Sequence, residues 1–454
     1  MNQMENKRVL VVGLGKSGIA AVQAMLALGA SVSVQDSKSE GELDAQLCAF
    51  LKGRNVTCYF GTVPEDMGAF DLLILSPGVP PELPFVEEGK KKGAEIVGEL
   101  ELAYRLGHGK YAAITGTNGK TTTTVLTGEI FKAAKRKTYV VGNIGVAVIS
   151  MALSAEDDAW LVTETSSFQL ETTKEFKPEI SAILNLTPDH LNRHKTMENY
   201  ALAKAKIMEN QEKGQYAVLN FDDPLVEKLA KHTKATVVPF SRKRELEMGA
   251  FVKDGRIVVR GEDGTTEDIC GVSELQIPGA HNVENVLAAA AVSYFAGIDA
   301  KTIGDAVRAF TGVEHRIEYV DTVDGIRFVN DSKGTNPDSS IKAIEAIDGG
   351  ILLIAGGYDK GSDFRELIQA FGGKVKWLLL LGKTAPKIRQ QAEELGFTNC
   401  CMCKDMEECV KKGYELAEAG DTVLLSPACA SWDMYTCFEQ RGEHFKNCVH
   451  RLEA

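Results

Sequence analysis

The stretch Thr115-Gly116-Thr117-Asn118-Gly119-Lys120-Thr121-Thr122, preceded by the apolar run Tyr111-Ala112-Ala113-Ile114, has the residue types and spacing of a phosphate cradle. A buried strand, a tight glycine turn and a helix start aim backbone N–H groups at an anion, and the helix dipole favours its charge. Lys120 is placed to reach β- and γ-phosphates, and the Thr121 hydroxyl to ligate Mg²⁺. The general phosphate-loop pattern asks for glycine where Ile114 stands, so only the distal Gly-Lys-Thr is standard. The alternative is an ordinary glycine turn capped by threonine. It leaves a lysine directly before a threonine-rich helix start with little to do.

Other candidates fall where strands are predicted to end, the edge at which open α/β sheets hold ligands. Gly13-x-Gly15-x-x-Gly18 sits between a predicted strand and a helix, with Asp36 closing the next strand. This is the dinucleotide fingerprint, and the same turn suits the diphosphate of any nucleotide-linked substrate. Glu164 ends the strand Trp160–Glu164 ahead of Ser166-Ser167-Phe168-Gln169 and is a candidate Mg²⁺ ligand, with helix capping as the alternative. His190 could bind a metal with Asp189 orienting it, and Arg193 and His194 follow closely. His281-Asn282-x-x-Asn285 introduces a helix; its carboxamides could read an adenine edge or support a metal-bound water.

Arg316 is a candidate to reach ATP from the third segment. Asp331 and Lys333, in Asn330-Asp331-Ser332-Lys333-Gly334-Thr335-Asn336-Pro337, suit a nucleotide and an anionic substrate, and Lys360 and Ser431 suit a carboxylate. Lys204, on the helix predicted from Met197, reads as part of a solvated face. Cys429 has no His-Asp partner pattern and reads as a packed thiol. Cys400, Cys401, Cys403 and Cys409 read as free thiols, because adjacent cysteines of a strand face opposite sides.

The elements that must position these residues alternate strand and helix. Strands are expected at Arg8–Val12, Ser31–Gln35 and Asp71–Leu75, then at Tyr111–Thr115, Thr138–Val141, Trp160–Glu164, Ile180–Leu186 and Tyr216–Asn220. A third set comprises Gly325–Asn330, Gly350–Ala355, Val375–Leu381 and Thr422–Leu425. Helices are expected from Lys120, Met197, Val283 and Thr302 and around Tyr435–Val449, and a short β-hairpin excursion over Phe251–Thr266 with Lys253-Asp254-Gly255-Arg256 as its turn. The fold class is α/β in three domains: an N-terminal Rossmann-like domain (1–97), a central P-loop ATPase-type parallel sheet (98–312) and a C-terminal Rossmann-like domain (313–454). The net charge of −12, from 51 basic and 63 acidic residues, argues against broad binding to nucleic acid. No apolar run approaches the length of a membrane span, and no signal peptide is visible, so a cytoplasmic location with ten reduced cysteines is expected.

A nucleotide pocket, an ATP and Mg²⁺ centre and a lobe with anion-binding loops are joined most simply by ATP-driven activation of a carboxylate. An acyl phosphate forms, and an amine displaces the phosphate. At this level the chain resembles the Mur ligase family of peptidoglycan synthesis. The likeness rests on Gly116–Thr122, Glu164–Leu170, Asp189-His190, His281-Asn282-x-x-Asn285, His315-Arg316 and Asn330–Asn336, and it covers essentially the whole chain. The loops Asp331–Pro337, Ser426–Ser431 and Phe438–Gly442 most resemble those of members that add D-glutamate.

The resemblance implies UDP-N-acetylmuramoyl-L-alanine, D-glutamate and ATP as partners. It places Lys16, Ser17, Asp36 and Ser37 at the uridine, with Ser76 and Gly78 nearby, and Asn143 at the muramoyl arm. It implies that Gly116, Thr117, Asn118, Gly119, Lys120, Thr121 and Thr122 hold the phosphates, and that Asn282, Asn285, Arg316 and Asp331 hold ATP. Two Mg²⁺ sites are implied, one at Thr121 and Glu164 and one at His190. Lys204 matches the lysine that the family carbamylates, with Lys206 as the neighbouring alternative. Lys333, Thr335, Lys360, Ser431 and Phe438 are implied to position D-glutamate, and a monomer is expected. The competing readings are another amino-acid ligase of this type, a folylpolyglutamate synthase-like ligase, an NAD-dependent oxidoreductase using Gly13–Gly18, and a non-catalytic nucleotide sensor.

Overall fold

The computed structural model describes residues 4–358 and 361–452. Strands β1 (Arg8–Val12), β2 (Ser31–Asp36), β3 (Thr57–Phe60), β4 (Leu72–Leu75) and β5 (Glu95–Gly98) make a five-stranded sheet in the order β3-β2-β1-β4-β5. Its neighbouring strands all run parallel. The apolar runs Val9–Val12 and Leu72–Leu75 are buried throughout, as expected of central parallel strands. The chain order reverses on either side of β1, so the loops after β1 and β4 border the crevice in which such sheets bind ligands. Gly18 is required by this turn: a Cβ there would lie 1.9 Å from the Gly13 carbonyl oxygen.

Strands β6 (Lys110–Thr115), β7 (Thr138–Gly142), β8 (Trp160–Glu164), β9 (Ile180–Ile183), β10 (Tyr216–Asn220), β11 (Thr236–Ser241), β12 (Gly249–Lys253), β13 (Arg256–Arg260) and β14 (Thr266–Gly271) form a second sheet. Its order is β14-β13-β12-β11-β10-β9-β6-β8-β7. It is parallel from β7 to β12 and antiparallel from β12 to β14. The expected parallel sheet is therefore mixed. The hairpin turn at Asp254-Gly255 stands where expected, but its strands extend the main sheet by pairing β12 on β11 and adding β14.

The predicted strand Ile180–Leu186 stops at Ile183. The Leu184 N–H still bonds Thr115 O, but Leu184 O accepts from the Asn220 side chain and the Leu186 N–H donates to Asp223, so from there the segment leaves the ladder for loop contacts. The helices expected from Val283 and Thr302 begin at Ala280 and Ala300.

Strands β15 (Glu318–Val323), β16 (Ile326–Asn330), β17 (Ile351–Ala355), β18 (Val375–Leu380), β19 (Cys400–Met402) and β20 (Thr422–Leu425) form a third sheet in the order β15-β16-β20-β17-β18-β19. It is parallel except for the β15–β16 edge pair. The last helix is Phe438–His450, starting later than expected. On β19, Cys400 packs against the cluster that contains Leu378 and Ile388, and Cys401 against the one that contains Leu379 and Val410, which is the divergence expected of adjacent strand residues. All ten cysteines are free, and Cys429 is buried in the core with Leu353 and Leu424.

Two compact units divide the chain: Met1–Val272 with Glu284–Val307, and Ser273–Val283 with Arg308–Ala454. The first carries the five- and nine-stranded sheets over one continuous core running from Val9 and Met25 to Leu161 and Tyr200. No helix among the described residues is long and apolar enough to cross a membrane.

Candidate active site

In the first unit, β6 delivers the chain into Gly116–Gly119, and the helix Lys120–Ala133 follows. Gly119 caps that helix in the left-handed region (φ +78°), and a Cβ there would lie 2.1 Å from Asn285 Oδ1, so glycine is required twice over. Asn285, buried on the helix Ala280–Phe295, also accepts from Thr123 Oγ1 at 3.4 Å. The turn is braced from a third side. The Asn118 N–H donates to Asn185 Oδ1 (2.8 Å), and Asn185 Nδ2 returns a bond to Asn118 O (3.1 Å). Thr117 Oγ1 accepts from the Thr187 N–H (3.0 Å) and lies 3.2 Å from Tyr200 Oη. Lys120 Nζ folds back on the loop, donating to the carbonyls of Gly116 (2.9 Å) and Thr117 (2.7 Å). Thr122 is buried in the first turn of the helix.

Two predicted metal ligands converge. Thr121 Oγ1 donates to Glu164 Oε2 at 2.7 Å, and Glu164 Oε1 accepts from Asn143 Nδ2 at 2.8 Å. Asn143 thus meets the end of β8 rather than standing apart from it. His190 sits in a left-handed conformation (φ +54°) at the start of the short helix Leu191–His194. Its Nε2 is 3.5 Å from Asp189 Oδ2, and its ring lies edge-on to Phe168 at 4.8 Å. His194 turns inward, with Nε2 2.9 Å from Ser167 Oγ, and burial lowers its pKa.

Lys204 corrects the sequence reading. It is 1% exposed rather than solvated. Its Nζ donates to Gly116 O at 2.8 Å, from beneath the phosphate loop, and stands 4.7 Å above the Tyr200 ring. Burial, and then the nearby Lys120 charge, push its pKa well below the ordinary lysine value. The alternative, Lys206, points elsewhere and donates to Glu171 O.

On the five-stranded sheet, Lys16 and Ser17 open the helix Lys16–Ala27. Asp36 Oδ2 accepts from the Leu14 N–H (2.8 Å) and Oδ1 from the Lys38 N–H (3.0 Å), with Ser37 exposed between. Ser76 Oγ donates to Gly13 O at 2.7 Å, and Gly78, two residues on, is exposed. The loops after β1, β2 and β4 therefore lie together at one sheet edge.

In the second unit, Asp331 is fully buried at the end of β16; Arg316 Nη1 stands 3.3 Å from its Oδ1, and Ser426 Oγ donates to its Oδ2 at 2.7 Å. Burial raises its carboxyl against the pull of Arg316. Asn282 donates to Pro278 O, and burial followed by Arg316 lowers His281 to about 4. Lys333 Nζ lies 5.0 Å over the Phe438 ring, the Thr335 N–H donates to Lys333 O, and Ser431 is buried. Lys360 lies outside the described residues.

Sequence reasoning missed Arg441. Its guanidinium is buried and donates to Ser332 Oγ (3.0 Å), Ser332 O (2.8 Å) and Cys429 O (3.1 Å), which pins the loop after β16 to the loop after β20. Burial lowers its pKa to about 10. Arg441→Met leaves two buried carbonyls without these donors. It is expected to cost about 3 kcal/mol, read as a lower denaturation midpoint at unchanged slope; an unchanged midpoint would remove Arg441 from this role.

A model of the Mur ligase middle domain matches residues 114–293, one of the Mur ligase MurD-like N-terminal domain residues 7–98, and one of the Mur ligase glutamate ligase domain residues 315–429. A UDP-N-acetylmuramoylalanine–D-glutamate ligase of Alkaliphilus oremlandii is 52% identical over 452 residues, covering 99% of each chain. The chain belongs to the Mur ligase family. Another such ligase, of Clostridioides difficile, is 48% identical over 99% of this chain and 100% of its own. Among solved Mur ligase folds, the MurF ligase of Thermotoga maritima in complex with ADP covers 99% of this chain and 96% of its own, with a TM-score of 0.59 at 17% identity. A pseudomurein peptide ligase type C from Methanothermus fervidus covers 98% and 100%, with a TM-score of 0.61 at 18% identity. At these identities the two structures speak for the fold alone. The likeness spans nearly the whole chain and so all three of its sheets.

Proposed function

We propose that this Mur ligase joins D-glutamate to UDP-N-acetylmuramoyl-L-alanine with conversion of ATP to ADP and phosphate, a step of peptidoglycan precursor synthesis. The observation that carries the reading is full-length identity of 52% to a relative bearing that name. The alanyl carboxylate attacks the γ-phosphorus, the bond to the β–γ bridging oxygen breaks, and ADP leaves. The amine of D-glutamate then attacks the acyl carbon, the C–O bond to phosphate breaks, and the nitrogen sheds its proton.

Lys120 is assigned to the transferring phosphoryl group, reached by swinging off the two loop carbonyls. Gly116–Thr122 and Asn285 form the phosphate cradle, and Asn282, Arg316 and Asp331 are the remaining ATP contacts. The oxygens of Thr121 and Glu164, 2.7 Å apart, are of the kind that Mg²⁺ prefers, and His190 is assigned a second ion. Bound Mg²⁺ neutralises charge developing on the phosphate oxygens. Lys204, whose pKa burial pushes well down, suits carbamylation: its unprotonated amine adds to CO2 and one proton is lost, leaving a carboxylate-like group beside the loop. Lys16, Ser17, Asp36, Ser37, Ser76, Gly78 and Asn143 are assigned to the nucleotide substrate, and Lys333, Thr335, Lys360, Ser431 and Phe438 to D-glutamate. Segments 1–97, 98–312 and 313–454 carry the UDP-substrate, ATP and amino-acid roles in that order. We take the enzyme to be a cytoplasmic monomer. An oxidoreductase would leave Lys120, Thr121 and Glu164 without a role.

The test is phosphate release by the purified chain with ATP, Mg²⁺ and UDP-N-acetylmuramoyl-L-alanine, varying the amine among D-glutamate, L-glutamate, L-lysine and diaminopimelate. Release with D-glutamate alone is expected. Release with another amine would move the assignment within the family, and none at all would overturn it.

A further inference from the structure

One buried carboxyl in the first unit has no place in the chemistry above. Glu99 begins the helix Glu99–Leu106 directly after β5 and is 2% exposed. Its Oε1 accepts from the Ile149 N–H at 2.6 Å and the neighbouring Val148 N–H also favours the carboxylate, while its Oε2 is buried without a well-formed hydrogen bond among the described residues. An orphaned buried carboxylate oxygen is costly, and polar cavities beside such atoms hold water. Glu99 lines a cavity of about 10 Å³, room for one water, whose polar lining includes Ser76, Gln169 and Thr172. Burial raises the carboxyl to about 7.

The position of the cavity gives the group a consequence. One wall is the loop after β4, which carries Ser76. The lining also includes Phe168, whose ring packs against His190 at 4.8 Å. Through Ile149, Glu99 also holds the start of the helix Val148–Ala152. That helix follows the tight turn in which the Gly142 N–H donates to Val146 O and Asn143 reaches Glu164. Two loops assigned to substrate or metal thus line the same cavity as Glu99, and a third is joined to it through the helix Val148–Ala152.

We propose that Glu99 is a positioning residue for the nucleotide-linked substrate, acting through one ordered water held by its Oε2 in this cavity. The role rests on the ligase reading, but the water does not. Glu99→Gln keeps an acceptor for the Ile149 N–H and a polar group for the water; Glu99→Leu removes both. In the full-length enzyme, Glu99→Leu is expected to raise the KM for UDP-N-acetylmuramoyl-L-alanine about tenfold, with the KM for ATP unchanged within about twofold. Glu99→Gln is expected to stay within about threefold of the parent in every constant. Calorimetric binding of the same nucleotide sugar should follow the same order without turnover, and a high-resolution crystal structure of the parent should show one water within hydrogen-bond distance of Glu99 Oε2. A dry cavity would overturn the proposal. So would a Leu variant that raises the KM for ATP and for the nucleotide sugar alike, or a Gln variant as impaired as the Leu one. Failure of the parent itself to bind the nucleotide sugar, with the water present, would instead count against the ligase reading and so overturn the positioning role that rests on it.

Discussion

Replacing Lys120 by alanine lowers kcat/KM by about a thousandfold or more and leaves the melting temperature within a few degrees of the parent's. The two halves of this expectation have separate physical origins. The stability term is small because Lys120 Nζ bonds to carbonyls of its own loop, Gly116 O and Thr117 O. Each such bond is worth about 1 kcal/mol net. Gly116 O keeps a second donor in Lys204, and the turn stays braced by Asn185, Thr187 and Asn285. The catalytic term is large because a fixed cation aimed at a transferring phosphoryl group acts where charge develops, away from bulk water. Circular dichroism with thermal melting measures the first and phosphate release the second. A variant that turns over at the parent rate would take the phosphate site away from Gly116–Lys120. A variant that melts far below the parent would show that the lysine's main work is structural.

Much of this was legible because the phosphate loop and the parallel strands around it are local statements. Gly119-Lys120-Thr121 specifies a turn and a helix start within a few residues, and the buried runs of β1, β4, β6, β8 and β17 are continuous apolar segments. What escaped is set by contacts distant in sequence. β3, β5 and β19 are strands of three or four residues with no fully buried run, so their pattern does not announce them. The hairpin at Asp254-Gly255 was readable from its turn, but its addition to the main sheet is decided by the pairing of Phe240 with Ala250. Arg441 lies in the loop Phe438–Gly442, but its role was not readable, because arginine is almost always exposed and only the carbonyls of Ser332 and Cys429 explain its burial. Lys204 is the instructive miss. Tyr200, Ala201, Lys204 and Ala205 form one buried stripe of the helix Met197–Ala205, while Leu202 is 41% exposed. A lysine in register with a tyrosine four residues before it, among alanines, was the available clue, and a default assignment of lysines to solvent discards it.

Lys204→Met is expected to lower turnover by about a hundredfold or more and yet melt higher than the parent at neutral pH. In the folded chain the ammonium is disfavoured by complete burial and by the Lys120 charge, against the opposing pull of Asp189 and Glu164, so its pKa lies well below 10.5. The unfolded chain retains the ordinary lysine value. Between those two values the unfolded state holds one proton more than the folded state, so stability rises with pH across that window, by up to about 1.4 kcal/mol per unit. Methionine fills a similar volume without titrating, which removes both the cost and the slope. The bonds it forfeits are replaceable, since Gly116 O keeps Lys120 and Thr115 Oγ1 donates to Thr165 O at 2.7 Å. Activity falls by about a hundredfold or more because the group beneath the phosphate loop is gone. Urea denaturation between pH 6 and 10 reads the slope, and phosphate release reads the activity. Lys204→Ala separates the two roles further: it leaves space that formate or acetate can fill, and partial recovery of turnover with those anions is expected for Ala but not for Met. Full activity of the Met variant would remove Lys204 from the reaction. An unchanged dependence of stability on pH would mean that the lysine is not neutral when the chain folds.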